Sequence, residues 1–110
     1  MQKIAQIIQL RPEHLNEYKK AHADVWAGVL SQLQKSNIGN YSIHHYNGLL
    51  FAYFEYNGSD LEADLSKMAS DPVTQQWWGW MKPMQKPVPE ASENEWWKTI
   101  EIIFDQGETS

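Results

Sequence analysis

Isoleucine and glutamine occupy near-alternate positions at the start of the chain, in the stretch KIAQIIQL at 3–10. A period of two places successive side chains on opposite faces, so this stretch predicts a β-strand. The segment RPEHLNEY follows, where Pro12 suits the first turn of a helix and Glu13 suits the positive end of its dipole. Apolar residues then recur at helical spacing. They predict one helix that runs to about Asn37, with Gly39 as its stop.

Residues 40–56 form two aromatic, β-prone runs joined by Asn-Gly at 47–48. Asn-Gly between such runs is a strong hairpin signal, because both turn residues need a positive φ. A two-residue turn also predicts the register, in which Tyr46 pairs with Leu49, Ile43 with Ala52 and Tyr41 with Phe54. In that register Tyr41, Ile43 and His45 share one face of the sheet.

The second half of the chain predicts a short helix at 60–70 and another over 70–84. Asp71 is the expected cap of the latter helix, and Pro72 its first residue. A polar, proline-bearing loop at 86–95 precedes the last strand, which lies within 96–104. The predicted order is therefore β-α-β-β-α-β, with the second helix split in two.

This order predicts an α+β, ferredoxin-like fold, the split βαβ arrangement. Helices cover only one face of such a sheet, so we expect a second copy of the chain to bury the other. The expected assembly is a homodimer, a dimeric α+β barrel. Residues 1–105 are expected to form one domain and residues 106–110 a frayed C-terminal tail.

The amino-acid composition limits the classes of partner that this chain is expected to bind. The 110-residue chain has a net charge of −5 and no basic run, which disfavours a nucleic-acid partner. It has no cysteine, and no apolar run approaches the length of a membrane span, so we expect a soluble cytoplasmic domain without membrane contact. Six tryptophans and five tyrosines are many for this size, and flat amphipathic rings suit a sugar-binding pocket.

His22 is the polar residue that the predicted helix places inside its apolar arc, beside Val29 and Leu33. Burying an imidazole costs free energy unless its nitrogens find partners. A core histidine bonded to a backbone carbonyl is one interpretation, and the helix pattern alone favours it. Tyr18, one turn earlier, permits another, since a phenol beside an imidazole makes a plausible proton-transfer pair near neutral pH.

The second helix carries apolar residues at helical spacing that are expected to pack on the sheet: Val73, Trp77, Trp80, Met81 and Met84. Trp78 is rotated by about 100° from Trp77 and cannot share that face well. Its ring therefore belongs either to a surface patch or to the wall of a pocket.

The histidines do not predict a metal site. His44 and His45 are adjacent in a strand, so their side chains point to opposite faces. His14 and His22 lie eight residues apart, too far for a simple pair of helical ligands. We expect no metal.

Four stretches together resemble the L-rhamnose mutarotase family over about residues 3–104: EYKKAHADVW with Tyr18, His22 and Trp26, then NYSI at 40–43, LLFAYFE at 49–55 and QQWWGWM at 75–81. The resemblance implies a dimeric ferredoxin-like fold and interconversion of the α and β anomers of L-rhamnose. By position it implies that His22 is the catalytic acid/base and that Tyr18, Tyr41, Trp77 and Trp78 contact the sugar. It implies no cofactor.

Three alternatives stay open at this point. The sugar could be another 6-deoxy sugar such as L-fucose. The same architecture also supports haem-degrading and quinone-forming monooxygenases, which likewise place a helix histidine near a pocket. Finally, the chain could bind sugars without turnover.

Overall fold

The computed structural model describes residues 1–107. Its strands and helices follow in this order: β1 Gln2–Leu10, α1 Leu15–Ala23, α2 Ala27–Lys35, β2 Ile38–Tyr46, β3 Leu49–Tyr56, α3 Leu61–Ser70, α4 Pro72–Met81, β4 Gln85–Lys86 and β5 Lys98–Ile100. A short 3-10 helix at Pro12–His14 precedes α1, and another at Lys82–Met84 follows α4.

The antiparallel sheet has the order β2-β3-β1, and the free edge of β1 pairs with both short strands. β4 pairs with Gln9 and Leu10, and β5 pairs with the stretch Ala5–Ile7. The two short strands thus share the place of a single fourth strand. The predicted βαββαβ order, the split second helix and the ferredoxin-like α+β fold are confirmed.

The hairpin has the predicted turn, with Asn47 at φ 52° and Gly48 at φ 77°. The pairs Tyr46–Leu49 and Ile43–Ala52 are observed as predicted. The register shifts between Gly39 and Ser42, so the third predicted pair, Tyr41 and Phe54, is not paired in the sheet. The rings of Tyr41 and Phe54 nevertheless stack, with centroids 5.3 Å apart and planes within 7°.

The prediction of one continuous first helix was wrong, because the chain leaves helical geometry between α1 and α2. Trp26 has φ −57° and ψ 136°, and its ring packs edge-on against Trp77 at 5.1 Å and stacks on Trp80 at 5.9 Å. At the start of α2, a Cβ on Gly28 would lie 2.8 Å from Val73 Cγ1. These contacts with α4 outweigh the local preference for a continuous helix.

The predicted stop of the first helical segment was also wrong. Asn37, rather than Gly39, adopts the left-handed conformation after α2, at φ 62°. Asparagine tolerates this region better than most residues. Its Nδ2 donates to Asp64 Oδ2 at 3.1 Å, a long-range contact that helps to hold it there. Gly39 instead lies within β2.

The core lies between the helices and the inner face of the sheet. Its buried members are Ile8 and Leu10 of β1, Leu50 of β3, Tyr18 and Ala21 of α1, Val29 of α2, and Trp77, Met81 and Met84 at and after α4. A second cluster joins Ile4, Ile38, Phe54, Tyr56 and Met68. Trp77, Met81 and Met84 therefore pack as predicted.

Two other members of the predicted α4 stripe are not in the core, since Val73 and Trp80 are each 37% exposed. Thr74 takes an inward position instead, and its N–H and hydroxyl both donate to the Asp71 carboxylate, which caps the helix as predicted. With Thr74 inward, Val73 and Trp80 lie at the edge of α4 that contacts the first two helices.

The chain after β5 lies on the surface, and residues 101–107 are exposed. Ile103 and Phe104 are 92% and 82% exposed. An ion pair between Lys3 and Asp105 ties this segment to β1. Of the predicted tail at 106–110, residues 108–110 lie outside the described residues.

Candidate active site

A cavity of about 580 Å³ lies between the helices and the inner face of the sheet. It brings together all five side chains expected to form the site: Tyr18 and His22 from α1, Tyr41 from β2, and Trp77 and Trp78 from α4. Its other walls are largely apolar, with Leu10, Leu33 and Leu50 among them. Its volume lies within the roughly 300–1,000 Å³ of small-molecule sites.

His22 lies in the last turn of α1, half-buried in the wall of the cavity. Its Nδ1 is 2.8 Å from the backbone oxygen of Tyr18. A carbonyl oxygen can only accept, so Nδ1 carries the proton and Nε2 holds the lone pair. Burial lowers the pKa of His22, and the bond to the carbonyl opposes this shift. The imidazole is therefore bonded to a carbonyl, as a core histidine would be, yet retains a basic nitrogen.

Tyr18 packs beside that imidazole, with ring centroids 4.3 Å apart. It is only 4% exposed, and its hydroxyl oxygen accepts a bond from Gln85 Nε2 at 3.0 Å. Burial raises the pKa of Tyr18 to about 12, although the bond from Gln85 opposes the rise. The phenol thus stays protonated at neutral pH.

Tyr41 faces the same cavity from the sheet side. Desolvation raises the pKa of its phenol, and the nearby Tyr18 phenol raises it further. The residue as a whole is 38% exposed, which locates the desolvation at its hydroxyl end. Two protonated phenols therefore lie in the cavity that holds the neutral imidazole.

The adjacent tryptophans of α4, Trp77 and Trp78, are buried to different depths. Trp77 is 5% exposed and meets the His22 ring edge-on, with centroids 5.4 Å apart. Trp78 is half-buried in the cavity wall, and the Lys82 ammonium lies 5.6 Å from its ring. Of the two positions open to Trp78, the structure places it in the wall of a pocket.

Sequence reasoning missed the contribution of residues 85–97. Gln85, Trp96 and Trp97 all line the cavity, and Trp96 Nε1 donates to Gln85 Oε1 at 2.7 Å. This stretch looked like a polar loop leading into a strand. The one signal available was the adjacent pair of tryptophans at its end, which a solvated loop does not need.

Of the other histidines, His44 and His45 also line the cavity and His14 does not. His14 lies 3.5 Å from a Glu17 carboxylate oxygen. His44 bonds Ser42, and the Gly48 N–H donates to His45. Within residues 1–107, no group of three or more His, Cys, Asp or Glu side chains could hold a metal ion. Across the same residues, no helix is both long and apolar enough to cross a membrane.

The fold and cavity together define a small ferredoxin-like α+β protein whose cavity holds an imidazole and two phenols among tryptophan rings. The model of the L-rhamnose mutarotase family matches residues 3–106. The chain belongs to the L-rhamnose mutarotase family, whose members are anomer-interconverting carbohydrate isomerases.

Individual relatives agree with this assignment. An L-rhamnose mutarotase of Oceanobacillus iheyensis is 35% identical over 82 residues, or 73% of this chain and 76% of the relative. One from Listeria monocytogenes serovar 1/2a is 34% identical over 94 residues, covering 84% of this chain and 88% of the relative. One from Bacillus subtilis strain 168 is 34% identical over 88 residues, with coverage of 78% and 82%.

Two solved structures share the fold. The crystal structure of an L-rhamnose mutarotase from Formosa agariphila superimposes with a TM-score of 0.76 at 20% identity, covering 97% of this chain and all of that one. Tetracenomycin F2 cyclase from Streptomyces glaucescens, a type-II polyketide cyclase, reaches 0.75 at 13% identity and 99% of this chain. Because one scaffold carries both chemistries, the fold by itself does not define the reaction.

Proposed function

We propose that this protein interconverts the α and β anomers of L-rhamnose in the cavity described above, with His22 as the acid/base. The observation that carries the assignment of His22 is the 2.8 Å contact between its Nδ1 and the Tyr18 carbonyl oxygen, from which the tautomer follows. With Nδ1 donating to the Tyr18 carbonyl, Nε2 presents a lone pair inside a partly desolvated pocket. Membership of the mutarotase family supports the choice of substrate and reaction.

In the proposed reaction, His22 Nε2 removes the proton from the anomeric hydroxyl as the bond between C1 and the ring oxygen breaks. The imidazolium then returns that proton to the former ring oxygen. Both oxygens start on C1, so one nitrogen can reach each of them. After rotation about C1–C2, the same steps run in reverse and close the ring on the other face of the aldehyde. Protons balance without a redox group, and a positioned acid/base supplies typically 10²–10⁴-fold.

The remaining four side chains bind and orient the sugar in this proposal. The phenols of Tyr18 and Tyr41 stay protonated, so each can donate to a sugar oxygen. The faces of Trp77 and Trp78 suit the C–H surfaces and methyl group of a 6-deoxy sugar. Apolar walls with polar side chains among them therefore suit a deoxy sugar, which presents both C–H surfaces and hydroxyl groups.

The direct test is anomer exchange. Freshly dissolved L-rhamnose is mixed with the protein, and exchange between its anomers is followed by saturation-transfer NMR. L-fucose and D-galactose are tested in the same way in separate samples. Exchange of L-rhamnose well above the buffer rate is expected. Faster exchange of L-fucose would reassign the sugar, and binding without exchange would favour a non-catalytic domain. A shift of the Soret band with stoichiometric binding on haem titration would favour the monooxygenase alternative.

We propose that the protein is a homodimer in which a second copy covers the outer face of the sheet. The helices bury Ile8 and Leu50 on the inner face, whereas the neighbouring pair Ile7 and Phe51 lies on the outer one. Phe51 is 37% exposed and Ile100, on the same face, 38%. Such an apolar sheet face needs a cover, and the fold's own symmetry-related partner supplies one.

Phe51→Glu is expected to convert the dimer into a monomer, because it places a charge in the proposed apolar contact. Light scattering coupled to size-exclusion chromatography measures the mass. Val73→Glu is the matched control, since Val73 has the same 37% exposure but lies on α4. A wild-type monomer, or a Phe51→Glu dimer as stable as the control, would contradict the proposed interface.

We propose that residues 1–105 form one catalytic domain, because all strands and helices from β1 to β5 fall within them. We also propose that the protein lies in the cytoplasm, where cells commonly metabolise monosaccharides.

A further inference from the structure

We propose that Gln85 and Trp96 are positioning residues, which hold the Tyr18 phenol as a hydrogen-bond donor to the substrate. This inference rests on the proposed function and concerns side chains to which neither the sequence motifs nor the family resemblance gives a role. It follows from the direction of two hydrogen bonds that run in series from the loop before β5 to the cavity.

Gln85 lies in β4 opposite Leu10 and is only 5% exposed. An indole N–H can only donate, so the group that Trp96 Nε1 meets at 2.7 Å must be the amide oxygen, Oε1. The other end of the amide is then the NH₂ group. Trp96 therefore determines which way the Gln85 amide faces.

The NH₂ group of Gln85 lies 3.0 Å from the Tyr18 hydroxyl and can only donate to it. The hydroxyl oxygen accepts this bond, so its own proton must point elsewhere. Across residues 1–107, no hydrogen bond has the Tyr18 hydroxyl as its donor. The proton is thus available to a sugar oxygen in the cavity, which His22 also lines.

Trp96 is itself held in place. The Lys82 ammonium lies 5.5 Å from its ring and 5.6 Å from the Trp78 ring. Cation–π attraction of this kind joins the loop before β5 to the end of α4. The orientation of the Tyr18 proton is consequently set by residues up to 78 positions away in sequence.

Gln85→Glu tests the orientation of the Tyr18 proton without changing the packing around residue 85. Glutamate has nearly the same shape as glutamine and can still accept the hydrogen bond from Trp96 Nε1. Its carboxylate would accept from Tyr18 and turn the phenol proton away from the sugar. We expect kcat/KM for anomer exchange to fall by about tenfold, the usual effect of losing one well-placed hydrogen bond. In a Tyr18→Phe background, where there is no proton to orient, the same change should alter kcat/KM by less than about twofold.

A pH readout distinguishes this role from a structural one. Once protonated, the new carboxyl group can donate to Tyr18 as the amide does. The ratio of Gln85→Glu activity to wild-type activity should therefore rise as the pH falls. Trp96→Phe removes the indole N–H and keeps an aromatic ring. It should lower activity when residue 18 is tyrosine, but not in the Tyr18→Phe background.

Gln75→Glu serves as the control for Gln85→Glu and should keep the wild-type kcat/KM, since Gln75 is exposed on α4 and its side chain bonds only the Ala69 carbonyl among described residues. Equal losses for the Gln85 variants with and without the Tyr18 hydroxyl would overturn the proposal, and so would a pH-independent activity ratio. If Gln85→Glu fails to fold, the cycle of Trp96→Phe with Tyr18→Phe decides. An inactive wild type would instead refute the proposed function, so the two failures are distinguishable.

Discussion

His22→Gln is expected to lower enzyme-catalysed anomer exchange of L-rhamnose by about 10²–10⁴-fold, the usual contribution of a positioned acid/base. Glutamine is close in length, and its amide N–H can still donate to the Tyr18 carbonyl, as Nδ1 of the imidazole does. It offers no nitrogen that takes up and returns a proton near neutral pH. The measurement is the exchange rate by saturation-transfer NMR, after subtraction of the buffer rate.

His14→Gln provides the matched control for this substitution. His14 lies beside Glu17 before α1 and is not among the residues that line the cavity. It should exchange L-rhamnose at the wild-type rate. Retention of more than about a tenth of wild-type activity by a folded His22→Gln protein would refute the assignment of His22 as the acid/base.

The second large effect is the pH dependence of the same activity. Free-enzyme kcat/KM should be level above the pKa of His22 and fall by about tenfold per unit below it, because only the neutral imidazole accepts a proton. Burial lowers that pKa, so the fall should begin below the ordinary histidine value of about 6.5. The phenol of Tyr18, with a pKa of about 12, should cause no loss on the alkaline side until near that pH.

The profile is measured from pH 4 to 9 with each buffer rate subtracted, since acid and hydroxide also open the sugar ring. The pH profile of His14→Gln should have the same midpoint as that of the wild type. The residual activity of His22→Gln should show no such midpoint. A midpoint above the ordinary histidine value would contradict a His22 pKa that burial lowers. An activity independent of pH across the acidic range would exclude His22 as the titrating base.

Much of the fold could be predicted because its signals are local. Asn47 and Gly48 specify the tight turn, and the turn then fixes the pairing of Tyr46 with Leu49. Asp71 caps α4 through a bond to the backbone only three residues away. Tyr18 and His22 meet because residues four apart share a helix face, whatever the helix does afterwards.

The errors concern contacts between residues distant in sequence. Trp26 leaves the helix to pack on Trp77 and Trp80, and Asn37 is held by a bond to Asp64. The helical spacing of apolar residues carries no information about such contacts. It therefore could not predict where the helix breaks.

The same distinction applies to the candidate site. By itself the sequence determined the turn at Asn47 and Gly48, the Asp71 cap and the Tyr18–His22 pair, because each depends on a few neighbouring residues. Only the tertiary structure decided that Tyr41 and Trp78 face that pair across one cavity, and that Gln85 orients its phenol. These relations join segments separated by tens of residues. Their geometry follows from packing the whole chain, which no short pattern encodes.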